Sequence, residues 1–164
     1  AHKATADARQ AVAAVLAESQ ETATGHDAIA TGATGNPCIP NVIFTDPEIA
    51  WAGLTETTAK REGIDYQLAI YPWAASGRAQ AIGRVAGRTK WLIEPDTQRV
   101  LGCGIVGPDA GELIAAAVTA IDQQWTAQQL TTSIAPHPTL SETLSGAAEV
   151  FLGKAIEIYK PKRA

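Results

Sequence analysis

Arg99-Val100-Leu101-Gly102-Cys103-Gly104-Ile105-Val106-Gly107-Pro108-Asp109 has two readings, and the fold class turns on which of them holds. Gly102, Gly104 and Gly107 satisfy the G-x-G-x-x-G spacing of a dinucleotide-binding turn, which would make the chain a parallel α/β domain. In such a turn the glycines close a strand and open a helix. Here Val100-Leu101 and Ile105-Val106 flank the first two glycines as though one strand ran through them, and a helix can begin only after Gly107-Pro108. No second strand with an acidic residue follows, because Asp122 falls within the next helix. A glycine-containing strand is the preferred reading. The alternative is an independent small nucleotide-binding module using Gly102 to Gly107.

Working outward, Lys90 to Ile93 and Arg99 to Val106 pair as a hairpin around Glu94-Pro95-Asp96-Thr97. Upstream, Val42 to Thr45 and Glu48 to Leu54 read as two strands separated by Asp46-Pro47, and Tyr66 to Trp73 reads as a further strand. Thr55 to Glu62 is a helix capped by Thr55 or Thr57 and stopped by Gly63, while Ala74 to Ala79 is a loop or short helical turn. Downstream come an amphipathic helix from Asp109 to Gln124, a short one from Thr126 to Leu130, and a last from about Thr139 to Val150 or beyond. Strands joined by short turns, followed by helices, predict an α+β domain of two layers: an antiparallel β-sheet covered by helices on one face. Residues 37–164 make up this domain. Ahead of it lie an alanine-rich helix from about His2 to Ala17, within a first segment 1–18, and a Thr/Ala/Gly linker at 19–36.

The chain of 164 residues is 46% hydrophobic, enough for one domain with a core, and no apolar run reaches membrane-spanning length. Its net charge of -4, with scattered Lys and Arg, argues against nucleic acid and against an anionic membrane surface. Cys38 and Cys103 fit no metal or redox spacing, so two structural thiols in a reducing, cytoplasmic setting are expected, with no metal site. Trp51, Trp73, Trp91 and Trp125 stand singly, as core or subunit-interface residues do. Ser76-Gly77-Arg78 is either an anion-binding loop or a turn with a solvated arginine. The start at Ala1, without Met, suggests processing or a longer parent chain.

Ala135-Pro136-His137-Pro138-Thr139-Leu140-Ser141-Glu142 carries the chemistry. Two prolines stiffen the backbone around one histidine, and Glu142 follows five residues later in the first turn of the last helix. A carboxylate against an imidazole fixes its tautomer and makes an acid/base pair. The same residues also spell a T-x-x-E capping box, in which Thr139 caps the helix and Glu142 reaches back to a backbone N–H. Spacing alone leaves both open.

From Pro37 to about Tyr159 the sequence resembles the C-terminal interface domain of the pyridine nucleotide-disulfide oxidoreductases, most of all the dihydrolipoamide dehydrogenase branch. The resemblance rests on Ile39-Pro40-Asn41-Val42-Ile43-Phe44-Thr45-Asp46-Pro47-Glu48-Ile49-Ala50, Pro72 to Ala79, Arg99 to Gly107 and His137 to Glu142, in that order. Glutathione reductase-like enzymes carry a related His-Pro-Thr motif and are the nearest alternative. The resemblance implies a homodimer in which His137, oriented by Glu142, reaches the partner subunit's redox disulfide as acid/base toward a substrate dithiol. It also implies that His137 and Pro138 lie near the partner's flavin, and that Ala4 belongs to the final helix of an FAD domain pointing toward the flavin. The intact enzyme would use FAD and NAD and oxidise dihydrolipoamide on a lipoyl-bearing protein of a 2-oxoacid dehydrogenase complex. The family's FAD motif, redox cysteines and NAD domain precede the matching stretch. The isolated chain is therefore expected to hold no cofactor and to be inactive alone.

Overall fold

The computed structural model describes residues 1–20 and 37–158. The chain divides into two compact units, Ala1–Asn36 and Pro37–Ala164. In the first, helix α1 (His2–Gln20) carries a Lys3–Asp7 pair one turn apart, at 2.5 Å, on its exposed surface. Ser19 and Gln20, expected in the linker, continue this helix. The rest of the expected linker, 21–36, lies outside the described residues.

The second unit is built on a five-stranded sheet: β1 (Asn41–Ile43), β2 (Ile49–Gly53), β3 (Gln67–Pro72), β4 (Arg88–Ile93) and β5 (Val100–Val106). Its spatial order is β1-β2-β5-β4-β3 and every neighbouring pair is antiparallel. The disputed glycine stretch is therefore the central strand. Gly104 sits opposite Trp51 on one side and Lys90 on the other, a placement no parallel dinucleotide-binding sheet would give it.

Side chains alternate across the pleat, so the inward row reads Ala50 and Ala52, Cys103 and Ile105, Trp91 and Ile93, Ala69 and Tyr71, all buried. Onto this face pack α4 (Ala110–Asp122), across β1, β2 and β5, and α6 (Glu142–Leu152), across β3 and β4; α5 (Ala127–Thr132) lies against α6. α4 buries Ala110, Ile114, Ala117 and Ala120, spaced three and four residues apart. Three of the four are alanine, which lets the helix sit close on the alanines of β2.

α2 (Glu56–Glu62) departs from the expected one-sided cover. Lys90, which pairs with Glu56 of this helix, points away from the face that its neighbour Trp91 presents to α6. α2 therefore lies on the opposite side of the sheet. Its ends follow the sequence: the Thr55 hydroxyl accepts from the Thr58 N–H, and Gly63 closes the helix in the left-handed region at φ 66°. The stretch after β3 folds as a 3₁₀ turn (Trp73–Ala75) and then α3 (Gly77–Ala81), whose first turn is capped by the Ser76 hydroxyl accepting from the Ala79 N–H. Ser76 is thus spent on a cap, and Arg78 is exposed.

Candidate functional site

α6 begins at Glu142, three residues later than expected, and the segment before it forms a compact turn. Thr139 does not cap the helix. Its hydroxyl donates to the Pro136 carbonyl at 2.6 Å and contacts the Ser141 hydroxyl at 2.8 Å, so the turn is closed from within. Glu142 performs both tasks that the sequence left as alternatives. Its Oε2 accepts the Thr139 N–H at 2.7 Å, the backward reach of a capping box, and its Oε1 meets His137 Nδ1 at 2.8 Å.

Two fixed contacts on one carboxylate leave it little freedom to rotate, and the imidazole inherits that constraint. An ionised carboxylate only accepts, so Nδ1 carries the proton and Nε2 of the neutral ring is left as an acceptor. The His137 side chain is 79% exposed and Glu142 34%. The ring thus presents a free nitrogen outward while its other nitrogen is held. Burial works to raise the Glu142 pKa, but the Thr139 N–H and the His137 ring outweigh it and keep the carboxyl below the ordinary 4.5, ionised at neutral pH.

The turn is tied to the sheet by a buried chain of hydroxyls that sequence reading did not anticipate. Trp73 Nε1 donates to Thr89 Oγ1 at 3.0 Å, the Thr89 and Thr143 hydroxyls are 2.7 Å apart, and Thr143 Oγ1 donates to the Leu140 carbonyl at 2.7 Å. Each hydroxyl has one proton. Since Thr143 gives its own to Leu140, Thr89 must donate to Thr143 and accept from Trp73, and every group in the chain is satisfied. Trp91 adds a second tie, its Nε1 donating to the Leu144 carbonyl at 3.0 Å. Two of the four tryptophans, Trp73 and Trp91, are fully buried and fasten the start of α6.

Gly102 to Gly107 offers no cradle for a dinucleotide. A Cβ at Gly102 would stand 1.9 Å from the Leu54 carbonyl oxygen, and one at Gly107 2.1 Å from the Trp73 ring, so the space beside both is filled by the domain's own atoms. Cys38 and Cys103 are unpaired, and no three His, Cys, Asp or Glu side chains converge as metal ligands among the described residues. No described helix is long and apolar enough to cross a membrane. Ala4 lies in α1, in the other unit.

Residues 39–148 match the pyridine nucleotide-disulphide oxidoreductase dimerisation domain. The chain belongs to this family. Over 126 residues it is 43% identical to a dihydrolipoyl dehydrogenase of Buchnera aphidicola subsp. Schizaphis graminum, a match spanning 77% of this chain and 26% of that protein. A dihydrolipoyl dehydrogenase of Vibrio cholerae is 44% identical over 124 residues, 76% of this chain and 26% of the relative. Among solved structures, LpdA from Mycobacterium tuberculosis superposes with a TM-score of 0.66 at 26% identity, covering 69% of this chain and 25% of that one. The HOCl-induced flavoprotein disulfide reductase RclA from Escherichia coli gives 0.63 at 28% identity, covering 76% and 28%. The chain spans about a quarter of the length of the curated relatives it matches. It is a dimerisation domain of the dihydrolipoyl dehydrogenase-like branch of the family.

Proposed function

We propose that this dimerisation domain joins two copies of a flavoprotein and supplies each partner's disulfide site with the His137–Glu142 acid/base pair. One observation carries this reading: Glu142 grips His137 at Nδ1 and leaves Nε2 outward on a stiff, exposed turn. A dithiol is a weak nucleophile until it loses a proton, so Nε2 takes that proton as the thiolate attacks a disulfide and later returns one to the leaving thiol. Glu142 carries the matching charge while the ring is protonated. The substrate, in this reading, is dihydrolipoamide borne by a protein of a 2-oxoacid dehydrogenase complex.

FAD and NAD belong to the segments of the intact enzyme that lie outside this chain, where together they carry the electrons away from the disulfide. His137 and Pro138 then border the partner's flavin, and Ala4 lies on a helix of the FAD domain, 1–18 being its remnant. The isolated chain has no disulfide to act on and is inactive alone. Two unpaired cysteines suit a reducing cytoplasm.

The test joins residues 37–164 to the remaining segments of the Vibrio cholerae relative and assays dihydrolipoamide oxidation. The chimera is expected to turn over, and His137→Gln to lower the rate by about two to four orders of magnitude while FAD stays bound. Unchanged turnover in His137→Gln would remove the histidine from the mechanism.

A further inference from the structure

The side chains of His137 and Glu142 are 79% and 34% open to solvent. An exposed pair of this kind contributes little by itself and gives up side-chain freedom to keep one geometry. A free imidazole in water also prefers its proton on Nε2, the opposite of the tautomer that the Glu142 contact requires. The geometry of the pair has to be set from beneath.

Thr143, the residue after Glu142, supplies that hold. Its N–H and its hydroxyl both donate to the Leu140 carbonyl, at 3.1 and 2.7 Å, while the Leu144 N–H donates to the Ser141 carbonyl at 3.1 Å. Leu140 and Ser141 alone separate Glu142 from Thr139, whose N–H fixes one of its oxygens. The backbone between donor and carboxylate is thus clamped by the neighbouring threonine. Thr143 is 1% exposed, and its hydroxyl meets that of Thr89, fully buried on β4, a strand paired on both sides. Behind Thr89 stands Trp73, whose indole has no room to shift. A Cβ at Gly87 would stand 2.4 Å from its ring and one at Gly107 2.1 Å, and the Trp73 backbone N–H donates to the Gly87 carbonyl at 3.0 Å. Three buried side chains therefore connect the exposed pair to the stiffest part of the sheet.

We infer that Thr143 and Thr89 are positioning residues for His137: their hydroxyls hold the backbone from Thr139 to Glu142 so that the carboxylate keeps the imidazole proton on Nδ1 and leaves Nε2 free to accept. Neither threonine touches the reacting atoms. Loss of the Thr143 hydroxyl unties the Leu140 carbonyl, and loss of the Thr89 hydroxyl unties Thr143 from the sheet. In both cases Glu142 gains freedom to rotate off the ring, and the imidazole drifts toward its Nε2–H form. The consequence for turnover rests on the acid/base reading of His137, whereas the tautomer is a property of this chain alone.

The experiment measures the ratio of Nδ1–H to Nε2–H forms of His137 by nitrogen-15 NMR of the 164-residue chain, at a pH where the ring is neutral, with His137→Gln identifying its signals among those of the three histidines. Thr143→Val should lower this ratio about fivefold, the factor that one neutral hydrogen bond confers, and Thr89→Val should lower it in the same direction. Thr143→Ser, which keeps the hydroxyl, should restore the ratio. Ile114→Val, a buried change in α4 that loosens the core elsewhere, should leave it unchanged. If Thr143→Val does not fold, Thr89→Val carries the same test. In the chimeric enzyme, Thr143→Val should lower kcat for dihydrolipoamide oxidation with KM unchanged, and Thr143→Ser should recover it. The inference is overturned if neither valine variant moves the tautomer ratio, or if Ile114→Val moves it as far. A lowered ratio with unaltered kcat would uphold the positioning of the ring and overturn instead the acid/base reading.

Discussion

Replacing Thr143 by Val keeps the shape of a residue that is 1% exposed and removes only its hydroxyl. That hydroxyl is the donor to the Leu140 carbonyl and the acceptor for Thr89, so two buried hydrogen bonds are lost at once. At about 1 kcal/mol each, the variant should lose about 2 kcal/mol, or roughly 4–8 °C in Tm for a chain of this size. Thr89→Val likewise removes two bonds, those to Trp73 and Thr143. One bond is common to both variants. The double variant therefore loses three bonds rather than four, and its destabilisation should fall short of the sum of the singles by about 1 kcal/mol. Urea unfolding of the wild type, both singles and the double completes the cycle. Thr143→Ser, which keeps the hydroxyl, should retain the coupling to Thr89. A Thr143→Val loss below about 0.5 kcal/mol, or strict additivity, would refute the idea that a continuous hydroxyl chain pins the turn before α6.

Gly102→Ala should cost more than about 3 kcal/mol or yield insoluble protein, because its Cβ would meet the Leu54 carbonyl, whereas Gly104→Ala, with nothing nearer than 3.7 Å, should be tolerated in the same urea assay. Carboxyl NMR titration should find Glu142 ionising below 4.5 and Glu149 above it. The signs of their effects on stability oppose: Glu142 stabilises the fold above its unfolded value and loses this as pH falls through its folded pKa, while the contribution of protonated Glu149 is lost as pH rises through its own. A reversed order of midpoints would contradict the contacts assigned to Glu142. Burial first, then Asp122, raises the half-buried Cys38 thiol, and burial raises Cys103 further. A thiol reagent should therefore label Cys38 slowly and Cys103 only on unfolding; rapid labelling of both would show the core to be more open than drawn.

Local chemistry made most of the fold legible. The turn at Glu94 to Thr97, the Thr55 cap and the Gly63 stop each depend on residues within a few positions of one another, and each lies where the sequence puts it. Gly102 reads as part of a strand because its flanks are β-branched or aliphatic, and β5 runs through it. What escaped depends on distance along the chain. Thr89 and Thr143 are 54 residues apart, and a threonine in a strand or a helix gives no sign of which hydroxyl it will meet. The side of the sheet taken by α2 was equally hidden, since the contact that marks it, Glu56 with Lys90, joins residues 34 positions apart. At the site, Thr139 failed as a cap because its hydroxyl has a nearer acceptor in the Pro136 carbonyl, and Glu142 escaped the choice between two roles because a carboxylate has two oxygens.

A mixed dimer shows whether His137 of one subunit serves the disulfide of the other. The chimeric enzyme carrying His137→Gln is co-refolded with one whose redox cysteines are replaced, each inactive by itself. If the histidine acts across the interface, every mixed dimer regains one complete site, and random pairing restores about a quarter of wild-type dihydrolipoamide oxidation. Activity that stays at the level of the two parents would contradict the account, because it would mean that His137 works within its own subunit or not at all.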